Sequence, residues 1–107
     1  MTLADRIKQD KNKGEEVFKK VKDFFENLDY SDTTFDEDEK FYHIRFNNNI
    51  VSDFKFDNGE EFNDAVFRLG ISNLRYSMSS KEKEKKYIYT DLSFKVDIKI
   101  MDKIWYN

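Results

Sequence analysis

The chain contains no cysteine and no proline, only three glycines, and a single histidine and a single tryptophan. Each scarcity removes a class of chemistry. Without cysteine there is no disulfide framework, no thiolate metal site and no cysteine nucleophile, which suits a reducing compartment. The glycines stand alone at positions 14, 59 and 70, so no glycine-rich loop can cradle a phosphate. One histidine, His43, rules out multi-histidine metal clusters, and a Ser-His-Asp arrangement would have to be built on that residue alone. No run is long and apolar enough to span a bilayer, and the opening Met1-Thr2-Leu3-Ala4-Asp5-Arg6 lacks the charged-then-apolar order of a signal peptide. A cytoplasmic protein with no membrane partner is expected.

What is present suits one small domain. At 107 residues the chain can build one core, and residues 1–107 are read as a single unit with 1–14 as a frayed or separate helical segment. Hydrophobic residues make up 38% but aromatics 17%, which predicts a core made of few, large rings. Phe and Tyr number 11 and 6 while Gly and Pro number 3 and 0, a bias toward A/T-rich codons and hence an A/T-rich genome. The net charge of -3 is unevenly spread: residues 29–59 hold eight acidic side chains and three basic ones. That third of the chain repels nucleic acid and attracts a basic partner.

Periodicity predicts the elements. Thr2 and Asp5 have capping-box spacing, so a helix starts at residue 3; Gly14 is expected to break it. Val17, Phe18, Val21, Phe24, Phe25 and Leu28 form one helical stripe. Tyr42, Ile44 and Phe46 alternate on one strand, and Ile50, Phe54 and Phe56 on a second. A three-residue loop at Asn47-Asn48-Asn49 would join them as a hairpin, setting His43 opposite Asp53. Asp57 to Glu60 cap a short helix that Gly70 ends. A last hairpin carries Leu74, Tyr76 and Met78, then a long strand with Ile88, Leu92, Phe94, Val96, Ile98 and Ile100 inward; Ile104-Trp105-Tyr106 folds back onto the core. The predicted fold is α+β, order α-β-β-α-β-β, an antiparallel four-stranded sheet with helices packed on one face.

The densest chemical feature is Asp36-Glu37-Asp38-Glu39, four successive carboxylates read as a loop before a strand. Counted from Asp36, the sixth and twelfth positions hold Phe41 and Asn47, so the calcium-loop pattern fails. Three readings remain: a divalent-cation site completed by Asp32 or Asp29, a solvated connection that discourages edge pairing, or a docking surface for Lys and Arg of a partner. Glu60, Glu61 and Asp64 are explained by a helix N-terminus, and a His43–Asp53 contact by cross-strand pairing. Lys81, Lys83, Lys85 and Lys86 beside Tyr87 and Tyr89 form an alternative site, for a nucleic-acid strand, although Glu82 and Glu84 halve its field.

No catalytic residue, metal or cofactor is assigned. The expected function is therefore that of a non-catalytic binding protein using Asp36, Glu37, Asp38 and Glu39. In small size, codon bias, acidic patch and lack of catalytic motifs the chain resembles, in profile, inhibitors made by phages and mobile elements, including anti-CRISPR proteins. That resemblance implies a larger host protein as partner, such as a nuclease whose nucleic-acid-binding surface is masked. The alternative is a nucleic-acid-binding accessory protein using Lys81 to Tyr89, and self-assembly through a sheet edge is a third route.

Overall fold

The computed structural model describes residues 2–57, 59–81 and 83–105, with side chains throughout except over 5–13. Helix α1 (Leu3–Glu26) starts where the capping box places it but runs unbroken through Gly14. A glycine costs only about 1 kcal/mol in a helix, and the apolar stripe beyond it outweighs that penalty. Val21 and Phe25 are fully buried, Phe24 nearly so, and Val17, Phe18 and Leu28 pack on the same cluster. A 3-10 turn (Tyr30–Asp32) follows, opened by Asp29, whose side chain accepts from the Ser31 N–H.

The next elements depart from the sequence reading. Thr33–Glu37 is a strand, β1, and it pairs antiparallel with β2 (Phe41–Phe46), so the tight turn lies at 38–40 and the acidic stretch is the end of a hairpin. The expected hairpin at Asn47-Asn48-Asn49 does not form. Asn47 and Asn48 instead clamp Asp32: the Asn47 N–H donates to the Asp32 carbonyl at 3.2 Å, and both side-chain amides donate to its carboxylate. The chain then runs on in the same direction as β3 (Ile50–Ser52). Both β2 and β3 pair with β5, and the register steps by one residue between them.

Helix α2 (Glu60–Arg68) is the predicted short helix, with Phe62 and Ala65 buried. Gly70 follows it at φ 77, the left-handed conformation that glycine adopts without penalty. The hairpin β4 (Ile71–Lys81) and β5 (Lys86–Asp97) forms the rest of the sheet. Tyr89, not Ile88, faces the core, because Asp91 at φ 54 shifts the alternation by one residue before Leu92, Phe94 and Val96. Ile98 and Ile100 do not extend β5 either. Asp97 accepts from the Ile100 N–H at 3.1 Å and caps helix α3 (Ile98–Ile104). Ile104 and Trp105 pack against the core as expected, while Tyr106 lies outside the described residues.

The result is one α+β domain with three helices and a five-stranded antiparallel sheet, in place of two helices and four strands. Strand β1 forms one edge, β2 and β3 lie end to end along one side of β5, and β4 lies along the other. Residues from α1, α2 and α3 share one core cluster with the inner sheet face. Aromatic rings dominate that core. Phe56 has the rings of Tyr89, Tyr76, Phe24 and Phe62 at 4.4, 4.8, 4.9 and 5.2 Å, mostly in the tilted or edge-on contacts that ring quadrupoles favour.

Candidate functional site

The β1–β2 hairpin places the four carboxylates in four different settings. Asp38 closes the turn: its Oδ1 accepts the Lys40 and Phe41 N–H groups, each at 2.8 Å, and its Oδ2 lies 2.7 Å from His43 Nε2. The His43 contact, followed by the two backbone donors, holds the Asp38 carboxyl down at about 2. Asp36 projects to the open face of the sheet across from His43, and its Oδ1 accepts the Glu37 N–H. Strand alternation turns Glu37 to the opposite, helix-covered side, next to Tyr42 in the register. Glu39 sits in the turn itself. All four are exposed, and the arrangement spreads them around a rigid corner instead of converging them on one point.

The remaining sequence candidates are dispersed. His43 does not face Asp53; its neighbours are Asp36 and Lys95, and Asp53 pairs with Lys86. Among the described residues no group of three or more His, Cys, Asp or Glu side chains is placed to hold a metal ion. Glu60, Glu61 and Asp64 are exposed at the start of α2. In the β4–β5 hairpin, Lys81 and Lys86 are opposite one another, Lys83 and Lys85 lie in the turn, and Tyr87 is half-buried opposite Ser52 and Ser80. Tyr89 is fully buried, its hydroxyl donating to the Phe54 carbonyl at 2.6 Å, and so presents no ring face to a base.

Two surfaces not singled out by the sequence adjoin the hairpin. On the open sheet face, Arg45, Arg75 and Lys95 interleave with Asp36, Ser93 and Thr34 around a shallow depression, and Lys95 Nζ sits 4.1 Å above the Phe41 ring. Arg45 approaches Asp91 at 3.9 Å, so that face carries both signs of charge. On the other side, a groove of about 790 Å³ runs between the end of α1, β1 and α3, walled by Phe25, Tyr30, Phe35, Met101 and Trp105, with Glu26 on its lip. Phe35 stays 56% exposed there, its ring tilted against that of Tyr42 with centroids 5.3 Å apart. The Tyr30 hydroxyl donates to the Phe25 carbonyl, and burial pushes the phenol pKa up. The signal for Phe35 was available in Thr33-Thr34-Phe35, a β-branched pair and a ring ahead of an Asp able to close a turn.

No protein-family model, no curated protein and no solved structure matches the chain.

Proposed function

We propose that the protein is a non-catalytic binding protein that offers the carboxylates of the β1–β2 hairpin to the Lys and Arg side chains of a larger protein, covering a surface that otherwise binds nucleic acid. It acts stoichiometrically, in the manner of the inhibitors that mobile elements direct at host nucleases. The observation that supports this reading is the locked turn. Asp38 uses both of its oxygens to fix the hairpin, which leaves Asp36, Glu37 and Glu39 exposed on a hydrogen-bonded turn that has less entropy to lose on binding than an open loop. Carboxylates held this way make charge-assisted contacts with cations more cheaply than those of a mobile loop.

The test separates charge from fold. Asp36→Asn, Glu37→Gln and Glu39→Gln are combined while Asp38 is kept, and unchanged circular dichroism and melting confirm the hairpin. The parent, immobilised in lysate of an A/T-rich host, is expected to capture a nucleic-acid-binding protein that a duplex oligonucleotide displaces, and the triple variant to lose it. Equal capture by parent and variant would overturn the proposal.

A further inference from the structure

Strand β1 is the outermost strand on its side of the sheet, and among the described residues nothing pairs with its outer edge. The hydrogen bonds at its two ends fix which groups point outward. The Asn47 N–H donates to the Asp32 carbonyl and the Asp38 N–H to the Phe41 carbonyl. Opposed residues in an antiparallel pair alternate between exchanging hydrogen bonds and not doing so. Residues 32, 34, 36 and 38 therefore bond inward to β2, and the N–H and C=O groups of Thr33, Phe35 and Glu37 face outward, the Glu37 N–H being held there by Asp36 Oδ1 at 2.9 Å.

We infer that this edge pairs with a second copy of itself, giving a two-fold dimer centred on Phe35. Antiparallel pairing about that residue sets Phe35 against Phe35 of the other copy, and Thr33 against its Glu37, in hydrogen-bonded pairs in which the Glu37 N–H exchanges Asp36 Oδ1 for the Thr33 carbonyl of the other copy. The side chains agree with that register. Thr34 falls opposite Asp36 and Thr33 opposite Glu37, so no carboxylate within the strand stands across from another, the arrangement that would be destabilising. The Phe35 ring, 56% exposed in the single chain, meets its copy at the axis. The opposite edge is guarded: β4 is irregular between Ser72 and Ser77, with Asn73 at φ 52, and such bulges prevent edge pairing. On β1 only the acidic side chains could have that effect. They project to the two faces and appear twice in the dimer, with the two Asp36 carboxylates diagonal to each other beside the axis at about 7–8 Å and the other acids toward the ends of the ribbon. The closest like charges, Asp38 of one copy and Asp32 of the other, lie one step beyond the strand, so added salt strengthens association by screening them.

The chain's lack of cysteine makes the register directly testable. Thr34→Cys and Asp36→Cys are made singly. In the proposed dimer positions 34 and 36 of opposite copies form a non-hydrogen-bonded pair with Cα atoms about 4.5 Å apart, within disulfide reach, whereas each position is diagonal to itself at about 7–8 Å. Mild oxidation should cross-link the mixture through a 34–36 disulfide and leave each variant alone largely uncross-linked. Sedimentation of the unsubstituted chain should show a dimer that tightens with salt, and Phe35→Lys, its circular dichroism unchanged, should weaken it about tenfold or more. A chain that stays monomeric at low and high salt, or cross-links formed regardless of position, would overturn the inference and leave the carboxylates as guards of the edge. Either result is independent of whether the neutralised hairpin loses a captured partner.

Discussion

Asp38 and Tyr89 each fix a piece of backbone through a side-chain oxygen, and each leaves a signature in the pH dependence of stability. The Asp38 carboxyl is held at about 2 against an ordinary 3.8, first by His43 and then by the Lys40 and Phe41 N–H groups. Because the folded-state value is the lower one, the unfolded chain takes up the extra proton as pH falls. The contribution is present above pH 3.8 and is lost toward about 2. Urea midpoints of Asp38→Asn, compared with the parent across that window, should show a shallower loss on acidification and a lower plateau near neutral pH. Tyr89 is the buried counterpart. Its hydroxyl donates to the Phe54 carbonyl and accepts the Phe56 N–H at 2.9 Å, fixing the loop that carries Phe56 into the aromatic cluster. Tyr89→Phe strands that buried N–H and should cost about 1–3 kcal/mol in chemical denaturation. Burial also pushes the Tyr89 phenol up to about 12 from an ordinary 10.0. The stability tied to its neutral form is present below pH 10 and is lost as pH rises through about 12, and the Phe variant should lack that alkaline slope.

At the level of elements, two glycines, one inside α1 and one just past the end of α2, predict opposite outcomes. Gly14 lies within α1, and a Cβ built there meets nothing within 4 Å. Gly14→Ala should therefore raise stability by about 0.4–1 kcal/mol, read as a higher melting temperature. Gly70 sits at φ 77, and a Cβ there would come within 2.9 Å of the Ile100 Cβ, so Gly70→Ala should lower stability by about 1–3 kcal/mol by strain and overlap with α3. The apolar stripe of α1, the α2 helix and its Gly70 terminator were legible because local spacing and a left-handed glycine settle them, although the expected side-chain cap of α2 is not made and Gly59 stands at its N-cap. The acidic strand was not. Asp36 and Glu37 have poor strand propensity, and β1 exists because Phe35 packs on Tyr42 while Asp38 closes the turn. The three asparagines suited a hairpin loop equally well, but Asp32, which no local pattern connects to them, took Asn47 and Asn48 as ligands for its carboxylate. Two left-handed or capping residues decided the rest: Asp91 moved Tyr89 inward, and Asp97 ended β5 where alternation alone would have continued it. The candidate site was thus readable as composition, while its division between two faces of a hairpin depended on tertiary pairing.

At the scale of the whole molecule, extents of 49 × 42 × 21 Å describe a flat body one sheet and one helix layer thick. Its radius of gyration of 15.4 Å exceeds the roughly 13 Å of a compact chain of this length, in keeping with a 24-residue helix, which spans about 36 Å. So thin a body needs its parts tied across the sheet, and α3 with its two cap residues, Asp97 and Trp105, supplies three ties. The Ile98 N–H donates to the Lys40 carbonyl in the acidic turn, the Asp97 N–H donates to the Gly70 carbonyl, and Trp105 Nε1 donates to the Leu69 carbonyl at the end of α2. The hairpin corner, the central strand and the second helix are thereby joined through one seven-residue helix. A short helix of this kind is unstable alone and draws its stability from packing, so its loss and the loss of the core should be the same event. Trp105 is the chain's single tryptophan and reports on that helix directly. Its fluorescence and the far-ultraviolet circular dichroism of the whole chain should therefore give coincident urea transitions with one midpoint, as a two-state domain requires. A tryptophan transition at clearly lower denaturant would show α3 detaching first, and would make the acidic turn, which shares the Ile98–Lys40 bond with it, the next part to loosen.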